Sequence, residues 1–290
     1  MQLEIFADSR DVMLRNDALD ALQRRHAAAA RQAWQRLAYE YPEDDTLIAL
    51  SMLVGELERD ATAYFADHRA LDVPRRALSD DVEPAAVRLL GQSAARAWLR
   101  PCWRALAQRA TPLTFRADDS DNHVAPLWLH AGDWAAATEA IEQIESWRRI
   151  PTPLMWMAHA RYCSDGLGAA WPLLTELAWL SPGRFASLIA ELRDPPLDAL
   201  RRKFDAQFEG AGQTADLAWF PAWVLVEKAA LAPRIREAQP SRHTSPERAT
   251  RLLLQILDLE RRGSQHDLVE RRKALRDLHA GLYAAYLKTR

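Results

Sequence analysis

The hydrophobic positions of this chain follow the period of an amphipathic α-helix. In residues 27–41 the apolar positions recur at helical spacing, and arginine and glutamine occupy the positions between them. This stripe consists of Ala30, Ala33, Trp34, Leu37 and Tyr41. Because one stripe needs a covering partner, we expect it to pack on a helix at about residues 10–23, with Trp34 in the core. No stretch alternates apolar and polar residues long enough to indicate a β-strand, so we expect an all-α chain.

Prolines indicate where several helices begin. A residue able to cap a helix precedes the proline at Thr152-Pro153, Ser181-Pro182, Asp194-Pro195 and Ser245-Pro246. Proline is tolerated in the first turn because the N–H groups there have no partner within the helix. Together with the apolar periodicity, these starts predict roughly a dozen or more helices joined by short turns. This arrangement is typical of a helical solenoid or a helical bundle.

A pair of alanines separated by twelve positions occurs three times. The pairs are Ala18 with Ala30, Ala125 with Ala137, and Ala158 with Ala170. A bulky residue follows each second alanine by four positions, namely Trp34, Ile141 and Leu174. Prolines follow the first and third pairs at Pro42 and Pro182. This pattern resembles the tetratricopeptide repeat, whose period is about 34 residues.

The resemblance implies an α-α superhelix, a solenoid of helical hairpins. It covers residues 118–189 best, with residues 11–42 as a weaker copy. We predict an N-terminal helical region at 1–116, repeats and following helices at 117–231, and a linker with a helical C-terminal cap at 232–290. The cap would contain helices at 246–262 and 265–288, separated by Gly263 as a stop and Ser264 as the next cap. Degenerate HEAT-like repeats and an irregular helical bundle remain alternatives.

In the tetratricopeptide family the first helix of each pair lines a groove that holds a peptide or a partner helix. The residues at the corresponding positions here are Asn122, Pro126, His130, Met155, His159 and Tyr162. The Lys, Asn and Arg residues with which some members clamp a C-terminal carboxylate are absent, since His123 and Trp156 stand at two of those positions. The resemblance therefore implies a non-catalytic adaptor or assembly factor that binds a protein or peptide partner by another mode.

Charge is distributed unevenly although the formal net charge is only −2. Residues 40–84 contain twelve acidic and four basic residues, whereas residues 242–290 contain eleven basic and six acidic ones. Solvated helix faces explain such runs, and association of the two segments between copies of the chain is the alternative. The basic positions of the last helix are interleaved with Glu270 and Asp277, so we expect neither a nucleic-acid nor a membrane partner.

Eleven tryptophans make the chain rich in large aromatic residues. Most should lie in the core of the predicted helices. Tryptophan and tyrosine are also typical anchors of interfaces, however. Trp219, Phe220 and Trp223 are the best candidates for an exposed aromatic patch, because a helix with aromatics on more than one face cannot hide all of them behind one neighbour.

No catalytic, cofactor or metal site is predicted. The chain has no glycine-rich phosphate loop and no metalloprotease or hydrolase motif, and His159 with Cys163 supplies only half of a metal site.

Two cysteines and the absence of a recognisable secretion signal favour a cytoplasmic protein, and the longest apolar run, residues 47–54, is too short to span a membrane. Two other functions remain open: an enzyme with a site scattered along the sequence, and an RNA-binding or self-assembling module.

Overall fold

The computed structural model describes residues 9–263 and 265–289 and is almost entirely helical. Helices make up 80% of the structure, and no β-strand occurs in these ranges, which confirms the all-α prediction. The chain forms two compact units, Met1–Asp133 and Trp134–Arg290. This division lies inside the predicted segment 117–231.

The first unit contains seven α-helices among its described residues. They are α1 Arg10–Gln23, α2 Ala27–Glu40, α3 Leu47–Leu57, α4 His68–Arg76, α5 Glu83–Leu90, α6 Gln92–Ala110 and α7 Val124–Ala131. A π-helical turn, Ala77–Val82, joins α4 to α5, and a 3-10 helix, Ala117–Asn122, precedes α7. Helix α1 has the bounds that the sequence predicts.

Helices α1 and α2 form a hairpin whose contact is made by small residues. Ala18 of α1 and Ala30 of α2 are completely buried, which allows the two backbones to approach closely. Trp34 departs from its predicted place in the core, because its side chain is only half-buried. Its indole Nε1 donates to the carbonyl of Leu47, 3.1 Å away, so the ring covers the start of α3 instead.

The second unit contains ten α-helices among its described residues. They are α8 Trp134–Glu142, α9 Pro151–Asp165, α10 Leu167–Leu180, α11 Pro182–Leu192, α12 Pro195–Gln207, α13 Phe220–Glu227, α14 Ala232–Arg236, α15 Ser245–Arg262, α16 Gln265–Leu278 and α17 Ala280–Lys288. A 3-10 helix, Thr214–Trp219, precedes α13. Helices α9 and α10 repeat the hairpin arrangement, with Ala158 and Ala170 completely buried.

Helix α10 is the core of the second unit. Every residue from Ala170 to Trp179 is buried, because α9, α11 and α14 pack around the helix. The turn from α9 into α10 is made at Gly166, whose φ of 80° is readily adopted only by glycine. A helix buried on all its faces has neighbours on every side, and α10 therefore sets where the surrounding helices lie.

The proline-marked helix starts are confirmed in two cases and shifted in two. Helix α12 begins as predicted, with the Asp194 carboxylate accepting from the backbone N–H of Leu197 at 2.9 Å, and α11 begins at Pro182. Helix α9 begins at Pro151, two residues before the predicted proline, because Pro151 itself can occupy the first helical position. Helix α15 begins at Ser245, so this serine lies inside the helix and is not its cap.

The C-terminal helices agree with the prediction at Gly263 and differ beyond it. Gly263 ends α15 with a φ of 74°, whereas the predicted cap, Ser264, lies outside the described residues. The single helix expected at 265–288 is two helices. The chain becomes extended at His279, whose Nδ1 accepts from the backbone N–H of Leu282 at 3.0 Å and thereby caps α17.

The buried alanines can be tested with a pair of substitutions in α2. Ala30→Leu should lower the free energy of unfolding by about 1–3 kcal/mol, because the added methylenes have no space between α1 and α2. Ala28→Leu makes the same change at an exposed position of the same helix and should shift it by less than about 0.5 kcal/mol. Urea denaturation monitored by circular dichroism measures both, and equal effects would contradict the close hairpin contact.

Candidate functional site

One face of α9 carries a row of half-buried side chains. Met155, His159 and Tyr162 are four and three positions apart, so they share this face of the helix. The opposite side of α9 is taken up by the core, as shown by the complete burial of Leu154 and Ala160. We call Met155, His159 and Tyr162 the α9 stripe. The three side chains of the stripe are partly exposed to solvent, while the buried side of α9 packs in the core.

Tyr162 connects the α9 stripe to the start of α12. Its hydroxyl donates to Oδ2 of Asp194 at 2.9 Å, while Oδ1 of the same carboxylate caps α12. Burial and the Asp194 carboxylate raise the pKa of Tyr162 to about 12. The phenol therefore stays protonated near neutral pH, and its ring is fixed in position by the hydrogen bond.

His159 lies between an aromatic ring and a carboxylate. Its ring centre is 6.1 Å from that of Trp134, and its Nδ1 lies 3.6 Å from Oε1 of the exposed Glu191. Burial lowers the pKa of His159, and the Glu191 carboxylate opposes that effect. Burial also raises the pKa of the Cys163 thiol one turn further on. An indole, an imidazole, a thiol and a carboxylate are thus brought together beside the α9 stripe.

The three groove candidates of the first unit have different surroundings. Asn122 is buried, and its Oδ1 accepts from Nε of Arg75 at 2.7 Å while its Nδ2 donates to Asp72 and Asp119 at 3.2 and 2.8 Å. Its amide therefore ties α4 to the 3-10 helix before α7, and the residue lines a polar pocket of about 400 Å³ together with Asp72, Arg75 and Asp119. Sequence position could not reveal the contacts with α4, because Arg75 and Asp72 lie 47 and 50 residues away.

Pro126 and His130 lie on α7 of the first unit. Pro126 is half-buried, and His130 is exposed with its ring stacked on Trp103, the centres 4.6 Å apart. The predicted groove residues are thus divided between the two compact units, three in each. Only the α9 stripe presents its three members together on one face of one helix.

His123 begins α7 and illustrates how burial changes a titrating group. Its Nδ1 accepts from the backbone N–H of Ala125 at 3.2 Å, which caps the helix, and its side chain is buried. Burial lowers the pKa of His123 from 6.5 to about 4, since the charged imidazolium would lose its hydration. The residue is a neutral helix cap at physiological pH.

The predicted aromatic patch is wrong for two of its three residues. Phe220 and Trp223 are buried in the core of the second unit, where the ring of Phe204 lies 5.5 Å from each of them. Only Trp219 is partly exposed, with its ring against His279 at 4.6 Å. Every residue of α13 from Phe220 to Val226 is buried, and this continuous apolar run was the available signal for a helix covered on all sides.

Half of the twelve acidic residues in segment 40–84 form ion pairs within the first unit. Six of its acids form ion pairs with arginines, namely Glu40, Asp44, Asp45, Glu56, Glu58 and Asp72. Several of the partners, such as Arg10 and Arg88, come from outside the segment. The charge count along the chain therefore overstates the negative potential that this segment offers to another molecule.

Comparisons with known proteins identify no relative. No protein-family model, curated protein or solved structure matches the chain. Within the described residues, no cluster of three or more metal-binding side chains occurs and none of the helices has the length and apolar character to cross a bilayer.

The lowered pKa of His123 makes stability depend on pH. In the unfolded chain His123 binds a proton near pH 6.5, whereas in the folded chain it does so only near pH 4. The neutral, buried His123 therefore contributes fully to the free energy of unfolding above about pH 6.5, and this contribution is lost as the pH falls toward 4. Between pH 7 and about pH 4, the wild-type protein should lose about 2–3 kcal/mol more stability than His123→Asn. Asparagine preserves the capping acceptor without titrating. Chemical denaturation measures the free energy of unfolding of both proteins across this pH range. An equal decrease for the wild type and His123→Asn would show that His123 is not the titrating group.

The location of the aromatic residues predicts unequal costs of truncation. Trp223→Ala should lower the free energy of unfolding by about 3–5 kcal/mol, because the indole fills the core. Trp219→Ala should cost clearly less, since part of that ring already faces solvent. Denaturation followed by far-ultraviolet circular dichroism compares the two variants directly, and a smaller cost at Trp223 would place it outside the core.

Proposed function

We propose that this protein is a non-catalytic adaptor or assembly factor that binds a segment of another protein at the α9 stripe. The observation that carries the proposal is the set Met155, His159 and Tyr162, which stays partly exposed on a helix whose other side is buried. The helix is thereby rigid, so a partner would lose little affinity in ordering it. A tetratricopeptide-like superhelical arrangement and a cytoplasmic location are parts of the same proposal.

The side chains around the stripe indicate the chemistry of the partner. Met155 and the ring of Tyr162 provide apolar contact, and methionine adapts its shape to different side chains. Glu191 is largely exposed beside His159, so its carboxylate is available to a cation. The partner segment therefore combines an apolar anchor with a nearby lysine or arginine, in an extended or helical conformation.

Affinity purification with chemical crosslinking tests this function. The variant Met155→Ala/Tyr162→Ala should lose a partner that the wild-type protein recovers, because both contacts at the stripe are truncated. For that partner once purified, titration calorimetry should give an affinity weakened by about thirtyfold or more. Tyr162→Phe, which removes only the hydrogen bond to Asp194, should retain most of the binding.

The matched control uses the same residue types on the first unit. Met52→Ala/Tyr64→Ala removes an exposed methionine and an exposed tyrosine away from the stripe and should leave recovery unchanged. Circular dichroism melting of both double variants establishes that each is folded. Identical recovery by the wild type and both variants, or loss with both variants, would refute binding at the α9 stripe.

A further inference from the structure

A basic pocket lies in the second unit between α15, α16 and the loop before α15. Its volume is about 620 Å³, within the range of roughly 300–1,000 Å³ that small-molecule sites occupy. Arg248 and Arg251 of α15 and Arg271 of α16 line it, together with the apolar side chains of Leu252 and Ala274. The pocket thus combines three cations with an apolar surface.

The three pocket arginines differ from others on the same two helices. Nearby carboxylates neutralise Arg261, Arg262, Arg272 and Arg276. Among the described residues, none of the carboxylates lies within ion-pair distance of Arg248, Arg251 or Arg271. Three positive charges of residues 242–290 that form no ion pair with a described residue therefore meet at this pocket.

Glu247 also lines the pocket, but both of its carboxylate oxygens are engaged by the backbone. Oε1 accepts from the N–H of Ser241 at 2.9 Å, and Oε2 accepts from the N–H groups of Arg242 and His243 at 3.1 and 2.8 Å. These bonds hold His243 at a φ of 53°, a conformation that residues other than glycine rarely adopt. Glu247 therefore shapes the wall and places His243 on it, and its oxygens are not directed at a ligand.

The arginines provide one fixed donor and two adaptable ones. Nη2 of Arg251 donates to the carbonyl of Ala238 at 2.8 Å, and its guanidinium lies 5.3 Å from the ring centre of Trp179. Arg248 and Arg271 are exposed, so they can adjust to a bound molecule. Guanidinium groups bind carboxylates and phosphates through paired hydrogen bonds.

We propose that this pocket binds a small organic anion that carries at least two carboxylate or phosphate groups. The fixed guanidinium of Arg251 holds one anionic group, and Arg248 with Arg271 closes on another. The apolar body of the ligand lies against Leu252 and Ala274. This inference rests on the pocket alone and does not depend on a partner at the α9 stripe.

Isothermal titration calorimetry tests the pocket with defined probes. Trimesate, a benzene tricarboxylate, supplies carboxylates, and inorganic pyrophosphate supplies phosphates. At matched ionic strength, at least one probe should bind with a stoichiometry of one. Arg248→Gln and Arg271→Gln should each weaken that binding by about tenfold, because each removes a charged hydrogen-bond donor. The probe that binds more tightly identifies the anionic group.

Arg202→Gln is the matched control. Arg202 is an exposed arginine of α12 that does not line the pocket, so its removal changes the net charge equally without removing a contact. It should leave the affinity unchanged. The proposal is overturned if neither probe binds, if Arg202→Gln weakens binding as much as the pocket variants, or if a single-stranded oligonucleotide binds more tightly and is insensitive to Arg248 and Arg271.

Discussion

Close approach of neighbouring helices is the constraint on which each unit depends. In both the α1–α2 and the α9–α10 hairpins, a completely buried alanine on each helix forms part of the contact. A larger side chain at Ala18, Ala30, Ala158 or Ala170 would separate the backbones and expose the flanking leucines to water. Interiors are packed too tightly to absorb such a change without loss of contacts elsewhere.

The burial of α10 extends this constraint to the polar groups around it. Glu176 of α10 is buried, and its Oε1 accepts from the backbone N–H of Gln239 at 2.8 Å while its Oε2 lies 3.5 Å from Nε of Arg148. Burial raises the pKa of Glu176. The segment before α15 is thereby attached to the core helix. The ring of Trp179, also on α10, lies against the guanidinium of Arg251, so this pocket arginine packs directly on the core helix.

The second unit therefore offers two surfaces of different chemistry. The α9 stripe has thioether, phenol and imidazole groups beside the exposed Glu191, and it is the surface for which we propose a segment with an apolar anchor and a cation. The basic pocket has arginines and a concave apolar wall, and it suits an anion of limited size. In both cases a rigid helix carries the contacting groups, which reduces the entropy lost on binding.

The sequence alone determined the helical class, the bounds of α1, the buried alanine pairs and the capping by Asp194, because these follow from local periodicity and from donors in one helical turn. Only the tertiary structure decided that the Asn122 amide accepts a hydrogen bond from Arg75 and that Phe220 and Trp223 lie in the core. It also decided that Arg248 and Arg271 line the same pocket. Periodicity identifies one face of a helix, but burial and charge pairing depend on which distant elements cover it. The sequence therefore shows which residues are able to make these contacts, but the partner of each one is fixed only when distant helices pack together.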